Sequence, residues 1–367
     1  MKGNLNELIL RTASSGLTLQ SANGAMPAGH NGLYRDPETP VRNTAHWAMT
    51  FLRAFELSDD PKYKTAAIRA VEFLQSKEAR PLGFTFWCRS NPKKDSCNGL
   101  IGQAWALEPF IYGARLTDNP EWLRFAEEIF LLHPFDEQRG LWMRVNIDGM
   151  HLPFDVTFNH QLWFAAAGAQ LAHHSEKVQK QTDRFMNQLN RHLAIYSSGL
   201  IYHPLLFRYS LKEKKSDILR MLLETKERRK MIRHKAVGYH LFNMYAFSML
   251  YKIYPEHPFW KSTPFKKTVE YAFSDPFADA VSDNEFAFPY NPPGFEIAFM
   301  ADTFGDQFGN TPDISSWISE QLKRTYNREK GLMNLASEDP ATQAARFYEA
   351  VRIENRPIEE SLYKPES

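Results

Sequence analysis

Two kinds of apolar pattern alternate along this chain. Tyr63, Ala66, Ala67, Ala70, Phe73 and Leu74 form one stripe at helical spacing, as do Trp122, Phe125, Ala126, Ile129 and Leu132. These predict helices with one wet face. Leu162–Ala167 and Tyr245–Leu250 are instead apolar nearly all round, which predicts helices buried on every side. A short polar turn with a proline stands between the two kinds in four places: Ser58–Pro61, Thr117–Pro120, Pro255–Pro258 and Asn310–Asp313. Proline at the first position of the second helix makes each an αα-hairpin connection.

Buried and half-buried helices in alternation describe an inner ring inside an outer one. Trp47, Trp105 and Trp163 stand 58 residues apart near the starts of three buried helices. Further buried helices begin near His240, Glu296 and Thr342, giving six starts near residues 42, 98, 157, 238, 295 and 342. The N-terminal stretch Leu5–Leu19 supplies one more helix, placed to pair with the last near Phe347. The expected fold is all-α, an (α/α)6 toroid or six-hairpin barrel, with residues 1–367 as a single domain. An open solenoid is the alternative, but solenoid repeats run to roughly 34–47 residues.

The step from Trp163 to Phe242 is 79 residues, so one hairpin carries an insertion at about 209–235. Its basic residues include Lys212, Lys214, Lys215, Arg228, Arg229, Lys230, Arg233 and Lys235, and Ile218, Met221 and Leu222 suggest an amphipathic helix. A solvated excursion, a subunit contact in a homo-oligomer and a basic lid over an anionic substrate all fit it.

Between hairpins lie short extended pieces rich in glycine and aromatics, such as Leu82–Trp87, Gly140–Arg144, Gly199–His203 and Phe286–Tyr290. In a toroid these return loops gather at the end where the inner helices begin. With 27 Phe, 15 Tyr and 8 Trp, aromatics make up 14% of the chain, and in loops they suit platforms for sugar rings. That end also carries unpaired N–H groups and the positive ends of helix dipoles, which favour anions.

Polar residues at the inner-helix starts supply the candidate chemistry. Asp95 and Asp155 are one repeat apart, and a carboxyl pair with one member protonated is the apparatus of glycosidic chemistry. His160 follows Asp155 by little more than a turn, and Glu296 is the reserve acid across the ring. The expected catalytic set is thus Asp155, Asp95, His160 and Glu296. Substrate contacts are expected from Arg42, His46, Trp87, Arg89, Asn98, Gln103, Trp142, Arg144, His203, Tyr239, His240 and Tyr290. The main cavity should then lie at this mouth, with Trp87, Arg89, Trp142, Arg144, His203 and Tyr290 in its wall.

Other classes find little support. A net charge of +1 argues against a nucleic-acid partner, and no run of 18 apolar residues offers a membrane span. Asn4, Asn6 and Glu7 interrupt what a signal peptide would need, and two cysteines make no disulfide framework. The chain reads as cytoplasmic. No dinucleotide fingerprint, phosphate loop or nucleophile elbow occurs. Cys88 and Cys97 lack a matching pair for zinc, and His173–His174 reads as a turn. No metal and no cofactor are expected.

Three segments carry a resemblance: Met26–Gly32, Asp36–Trp47 and Cys97–Trp105, the last with Asn98-Gly99-Leu100-Ile101-Gly102-Gln103-Ala104-Trp105. They resemble the Agl-cluster Q family, six-hairpin proteins of archaeal glycosylation loci with bacterial relatives in surface-polysaccharide clusters. The resemblance implies an α/α toroid and the processing of a sugar, a hexuronic acid, within a glycan. More distantly, unsaturated glucuronyl hydrolases use two aspartates at successive inner-helix starts, and Asp95 and Asp155 look similar in placement. Glucuronyl C5-epimerases and N-acylglucosamine 2-epimerases share the barrel and abstract a proton beside a carboxylate or carbonyl, work for His160, His240 or Tyr239. The expectation is a uronate-processing enzyme working by acid/base glycoside or unsaturated uronyl hydrolysis, with an anionic oligosaccharide or polysaccharide as its substrate. A C5-epimerase and a non-catalytic glycan-binding protein are the alternatives.

Overall fold

The structure is a computed structural model that describes residues 2–206, 225–309 and 311–365. Six inner helices form its axis: Val41–Ser58, Gly99–Thr117, Phe158–Leu171, His240–Ile253, Pro293–Phe308, and Pro340–Ala345 running on as the 3-10 segment Arg346–Arg352. Each packs on the next, and the sixth returns to the first, so the ring is closed. The fold is an all-α toroid. The starts expected from the pattern fall within two residues of those found.

The outer helices Pro61–Gln75, Pro120–Leu131, Glu176–His192, Thr263–Ala272 and Ile314–Thr325 follow the inner ones in turn. Leu5–Leu17 is a further outer helix and packs chiefly on the first inner helix. Near the chain ends, Lys2–Asn4 pairs antiparallel with Pro357–Glu359.

The turn chemistry explains the sharp reversals. Asp59 and Asp118 close their inner helices in the left-handed region, with φ of 54° each. Asp60 and Asn119 then accept from the N–H groups of Lys62 and Glu121, capping outer helices that open on Pro61 and Pro120. Asp313 caps the last outer helix in the same way, whereas Asn310 lies outside the described residues. His173–His174 is a turn, with His174 facing Glu127 at 3.5 Å.

The return loops depart from expectation. Phe86, Trp142, Ile201, Phe286 and Phe288 are buried, because the loops fold back onto the ends of the inner helices, some as small antiparallel ladders and others as turns. One such ladder joins Phe135–Asp136, Leu141–Val145 and His151–Phe154. The loops therefore extend the hydrophobic core, and few of their aromatics reach solvent.

Of the basic insertion, residues 226–235 belong to the helix Lys226–Gly238, which Thr225 caps. Ile218, Met221 and Leu222 lie outside the described residues. No helix among the described residues is long and apolar enough to cross a membrane.

Candidate active site

The second inner helix opens on Asn98 and Gly99, both left-handed with φ of 55° and 61°. This double turn lets two aspartates reach one helix end. Gly99 N donates to Asp95 Oδ1 at 2.8 Å, and Leu100 N donates to Asp155 Oδ2 at 3.1 Å. Asp95 and Asp155 are therefore adjacent caps on one helix. They do not face each other across a cavity.

Each is further committed. Asp95 receives Arg89 at 3.0 Å and Arg144 at 2.8 Å. Burial works to raise its carboxyl, but Arg89, the Gly99 N–H, Cys97 and Arg144 together hold it below the ordinary aspartate value. Asp155 is 5% exposed. Its Oδ1 accepts from Thr157 N at 3.2 Å, and its Oδ2 meets His160 Nδ1 at 2.8 Å. Burial again acts upwards and is outweighed by His160 and the two backbone donors, so this carboxyl also stays ionised. Neither aspartate is the protonated acid that the carboxyl-pair reading requires.

His160 is the member of this group that lines the mouth cavity. With Nδ1 engaged by a carboxylate, the tautomer is fixed with its proton on Nδ1, and Nε2 is the ring nitrogen left for a ligand. An imidazole held in this way can accept a proton, and the carboxylate behind it stabilises the cation that forms.

The cavity is partly open and has a volume of about 160 Å³. It is not the largest hollow, contrary to expectation. An open groove of about 580 Å³ lies at the turn end beside Tyr112, Asp118 and His173, and another of about 670 Å³ lies outside the helix Leu5–Leu17. The mouth is narrow because the segment before the first inner helix reaches over it. His30 N and Gly32 N donate to Asp339 Oδ2 at 2.7 and 3.1 Å, tying that segment across the ring. Asn31 Oδ1 then accepts from both Arg42 at 2.9 Å and Tyr290 at 2.8 Å.

What distinguishes this cavity is its lining. Arg89, Asn98, His203, Tyr239 and Tyr290 line it with His160. Asn31, Tyr34, Lys94, Asn159, Lys235 and Arg346 join them. Tyr34 and Tyr239 meet oxygen to oxygen at 3.0 Å, and Tyr290 packs at 5.7 and 6.0 Å from their rings. His203 is pushed well below the usual histidine range by burial, then by Lys235 and His160, and is neutral. Its Nδ1 has no partner among the described residues. Among the described residues the wall holds four cationic side chains and not one carboxylate.

Beneath the wall lies a buried polar layer. Arg42 packs over the Trp105 ring at 4.4 Å and pairs with Glu38 at 3.2 Å. His46 stacks on Tyr348 at 4.0 Å, and neither of its ring nitrogens has a partner among the described residues. Burial, then Arg42 and Arg346, hold it neutral. Glu296 is completely buried, 3.4 Å from Arg346, which also binds Glu349. Burial and the neighbouring Glu349 drive the Glu296 carboxyl well above its ordinary value. The barrel thus holds a carboxyl disposed to keep its proton, but it is sealed behind Arg346. Arg42, His46 and Glu296 back the cavity without lining it.

Five expected contacts lie elsewhere. Gln103 is buried and pins the return loop, accepting from Phe86 N at 2.9 Å and donating to Cys97 O at 2.9 Å. Trp142 is wholly buried among Phe130, Phe164 and Phe185, with its indole N–H satisfied by Gln181. Arg144 is spent on Asp95 and on Pro153 O. Trp87 is half-buried and donates to Arg89 O at 2.9 Å. His240 is buried in the fourth hairpin, 3.0 Å from Thr268 O, and burial lowers it to about 4.

Among the described residues no three His, Cys, Asp or Glu side chains stand close enough together to hold a metal ion.

No protein-family model matches the chain. Archaeal glycosylation protein Q of Haloferax volcanii is 42% identical to it over 368 aligned residues, covering 96% of this chain and 98% of that protein. Solved six-hairpin enzymes resemble it in shape. An alpha-1,6-mannanase of Salegentibacter sp. HEL1_6, bound to alpha-1,6-mannotetrose, matches at TM-score 0.60 and 12% identity, over 95% of this chain and 98% of that one. The cellobiose 2-epimerase of Spirochaeta thermophila matches at 0.62 and 14%, over 95% and 96%. An unsaturated glucuronyl hydrolase specific for heparin matches at 0.61 and 13%, over 95% of each chain. At such identities these three structures speak for the fold alone.

Proposed function

The chain belongs to the family of archaeal glycosylation protein Q, and from that premise we propose a carbohydrate enzyme that moves a proton at a carbon atom of an acidic sugar. His160 is the group that moves it. One observation carries this reading: a cavity wall that presents a carboxylate-backed imidazole and, among the described residues, no carboxylate of its own.

Glycoside hydrolysis by two carboxyls needs both within reach of one bond. Here Asp95 and Asp155 serve one helix end, and Glu296 is behind Arg346. Proton transfer at carbon needs less. His160 Nε2 takes the hydrogen next to a carboxylate or carbonyl, and the electron pair left on carbon spreads into that group. Asp155 balances the imidazolium. Wall cations lower the cost of the extra negative charge. The proton returns to carbon from the imidazolium or, on the other face, from a second donor. Return to the other face makes the product an epimer.

The test is to incubate the protein with glucuronate-containing oligosaccharides and with neutral ones, following both by NMR. A new epimer or isomer of the acidic sugar without new reducing ends is the expected result. New reducing ends would overturn the reading in favour of hydrolysis. Tight binding with neither change would leave a glycan-binding protein.

A further inference from the structure

Three of the four wall cations are already answered by carboxylates. Arg89 faces Asp95 at 3.0 Å and Asp36 at 3.6 Å, Lys94 faces Asp36 at 3.0 Å, and Arg346 binds Glu349 and Glu296. Lys235 is different. It is half-buried on the helix Lys226–Gly238, and it has no ion pair and no hydrogen-bonded side chain among the described residues. Its ammonium stands 5.0 Å from the ring centre of Tyr34 and 5.4 Å from that of Tyr239. Two aromatic faces steady a cation but leave its hydrogen-bond donors unused.

We propose that Lys235 is the residue that recognises the carboxylate of the sugar, holding it over the Tyr34–Tyr239 pair beside His160 and His203. This deepens the reading given above and rests on its acidic substrate. Among the described residues the wall offers one unanswered positive charge, which suits one singly charged group. Burial, and then Lys94, push the free ammonium down to about 8, so the site is under-neutralised until an anion enters it. The same placement gives the basic insertion a use. Its last turns deliver a specificity residue to the mouth of the ring.

Methyl β-D-glucuronide and methyl β-D-glucoside, which differ in the carboxylate, are the probes, titrated calorimetrically at pH 7. The wild type is expected to prefer the glucuronide by roughly tenfold or more. In Lys235→Met that preference should fall to within about twofold, with glucoside affinity unchanged, and Lys235→Arg should restore most of it. Unaltered thermal melting of both variants checks the fold. Retention of the full preference by Lys235→Met overturns the proposal. A wild type with no preference overturns it together with the acidic-substrate reading. The proton-transfer role of His160 is read separately, by isotope exchange, and can survive either result.

Discussion

Replacing Asp155 by Asn separates the two tasks this side chain performs. Both carboxylate oxygens are in use: Oδ2 receives Leu100 N at 3.1 Å and His160 Nδ1 at 2.8 Å, and Oδ1 receives Thr157 N at 3.2 Å. An amide keeps one acceptor. Whichever way it is turned, its NH2 group confronts a buried backbone N–H. The loss of that bond costs about 1–3 kcal/mol, more than an exposed cap, where Asn and Asp are nearly equivalent. The chemical consequence is separate. With its oxygen in the place of Oδ2 the amide keeps the Nδ1 bond but brings no charge to balance the imidazolium, and with its nitrogen there it moves the ring proton to Nε2 so that the imidazole can no longer accept. General-base catalysis contributes about 10² to 10⁴ in rate, and turnover should fall by that range with little change in substrate affinity. Denaturant titration gives the first number and steady-state kinetics the second. Turnover within threefold of wild type, with stability reduced as stated, would make Asp155 a helix cap and refute its part in the reaction.

Two further substitutions probe the same architecture. A Cβ on Gly99 would lie 2.2 Å from Asp155 Oδ2 and 2.9 Å from His160 Nδ1, at a φ of 61°. Gly99→Ala should therefore cost at least about 1–2 kcal/mol from the left-handed backbone alone and also depress turnover, and melting curves with kinetics will show whether the two losses occur together. Glu296→Gln replaces a carboxyl that burial and Glu349 keep protonated, so activity should be retained. The folded-state value of Glu296 lies above its unfolded one. Wild-type stability attributable to it is therefore full below about 4.5 and lost as pH rises through the folded value. The Gln variant should accordingly gain on wild type as pH rises above about 4.5, which denaturation at pH 4 and pH 8 will reveal. Equal stability differences at both pH values would contradict the assignment.

The ring was legible because its signal is local and periodic. Apolar stripes and Asp-Pro or Asn-Pro turns state where helices begin and end, and the six starts follow from them. The direction of a loop side chain is not stated in that way. Trp142 and Arg144 look alike as loop candidates, yet the strand Leu141–Val145 sends the indole into the core and the guanidinium to Asp95. Gln103 sits in the Asn-Gly-Leu-Ile-Gly-Gln-Ala-Trp stretch as if for a ligand, but its amide is consumed by Phe86 and Cys97. Asn31, Tyr34 and Lys235 were missed as wall residues for the opposite reason. They come from an aperiodic segment and from the insertion, and only the closed ring brings them to His160. The link between His160 and Asp155 was readable from their five-residue spacing. The ionisation of Asp155 was not, since it is a balance in which burial is outweighed by His160 and then by the N–H groups of Leu100, from another hairpin, and Thr157.

Solvent isotope exchange tests the central claim most directly. Wild type and His160→Gln are incubated with a glucuronate-containing oligosaccharide in deuterated water, and deuterium at carbon is read by NMR and mass spectrometry. Deuterium at the carbon beside the carboxylate or carbonyl, without chain cleavage, in the wild type and absent in His160→Gln is the predicted result. Exchange that persists in His160→Gln, or cleavage with no deuterium at carbon, would contradict the account.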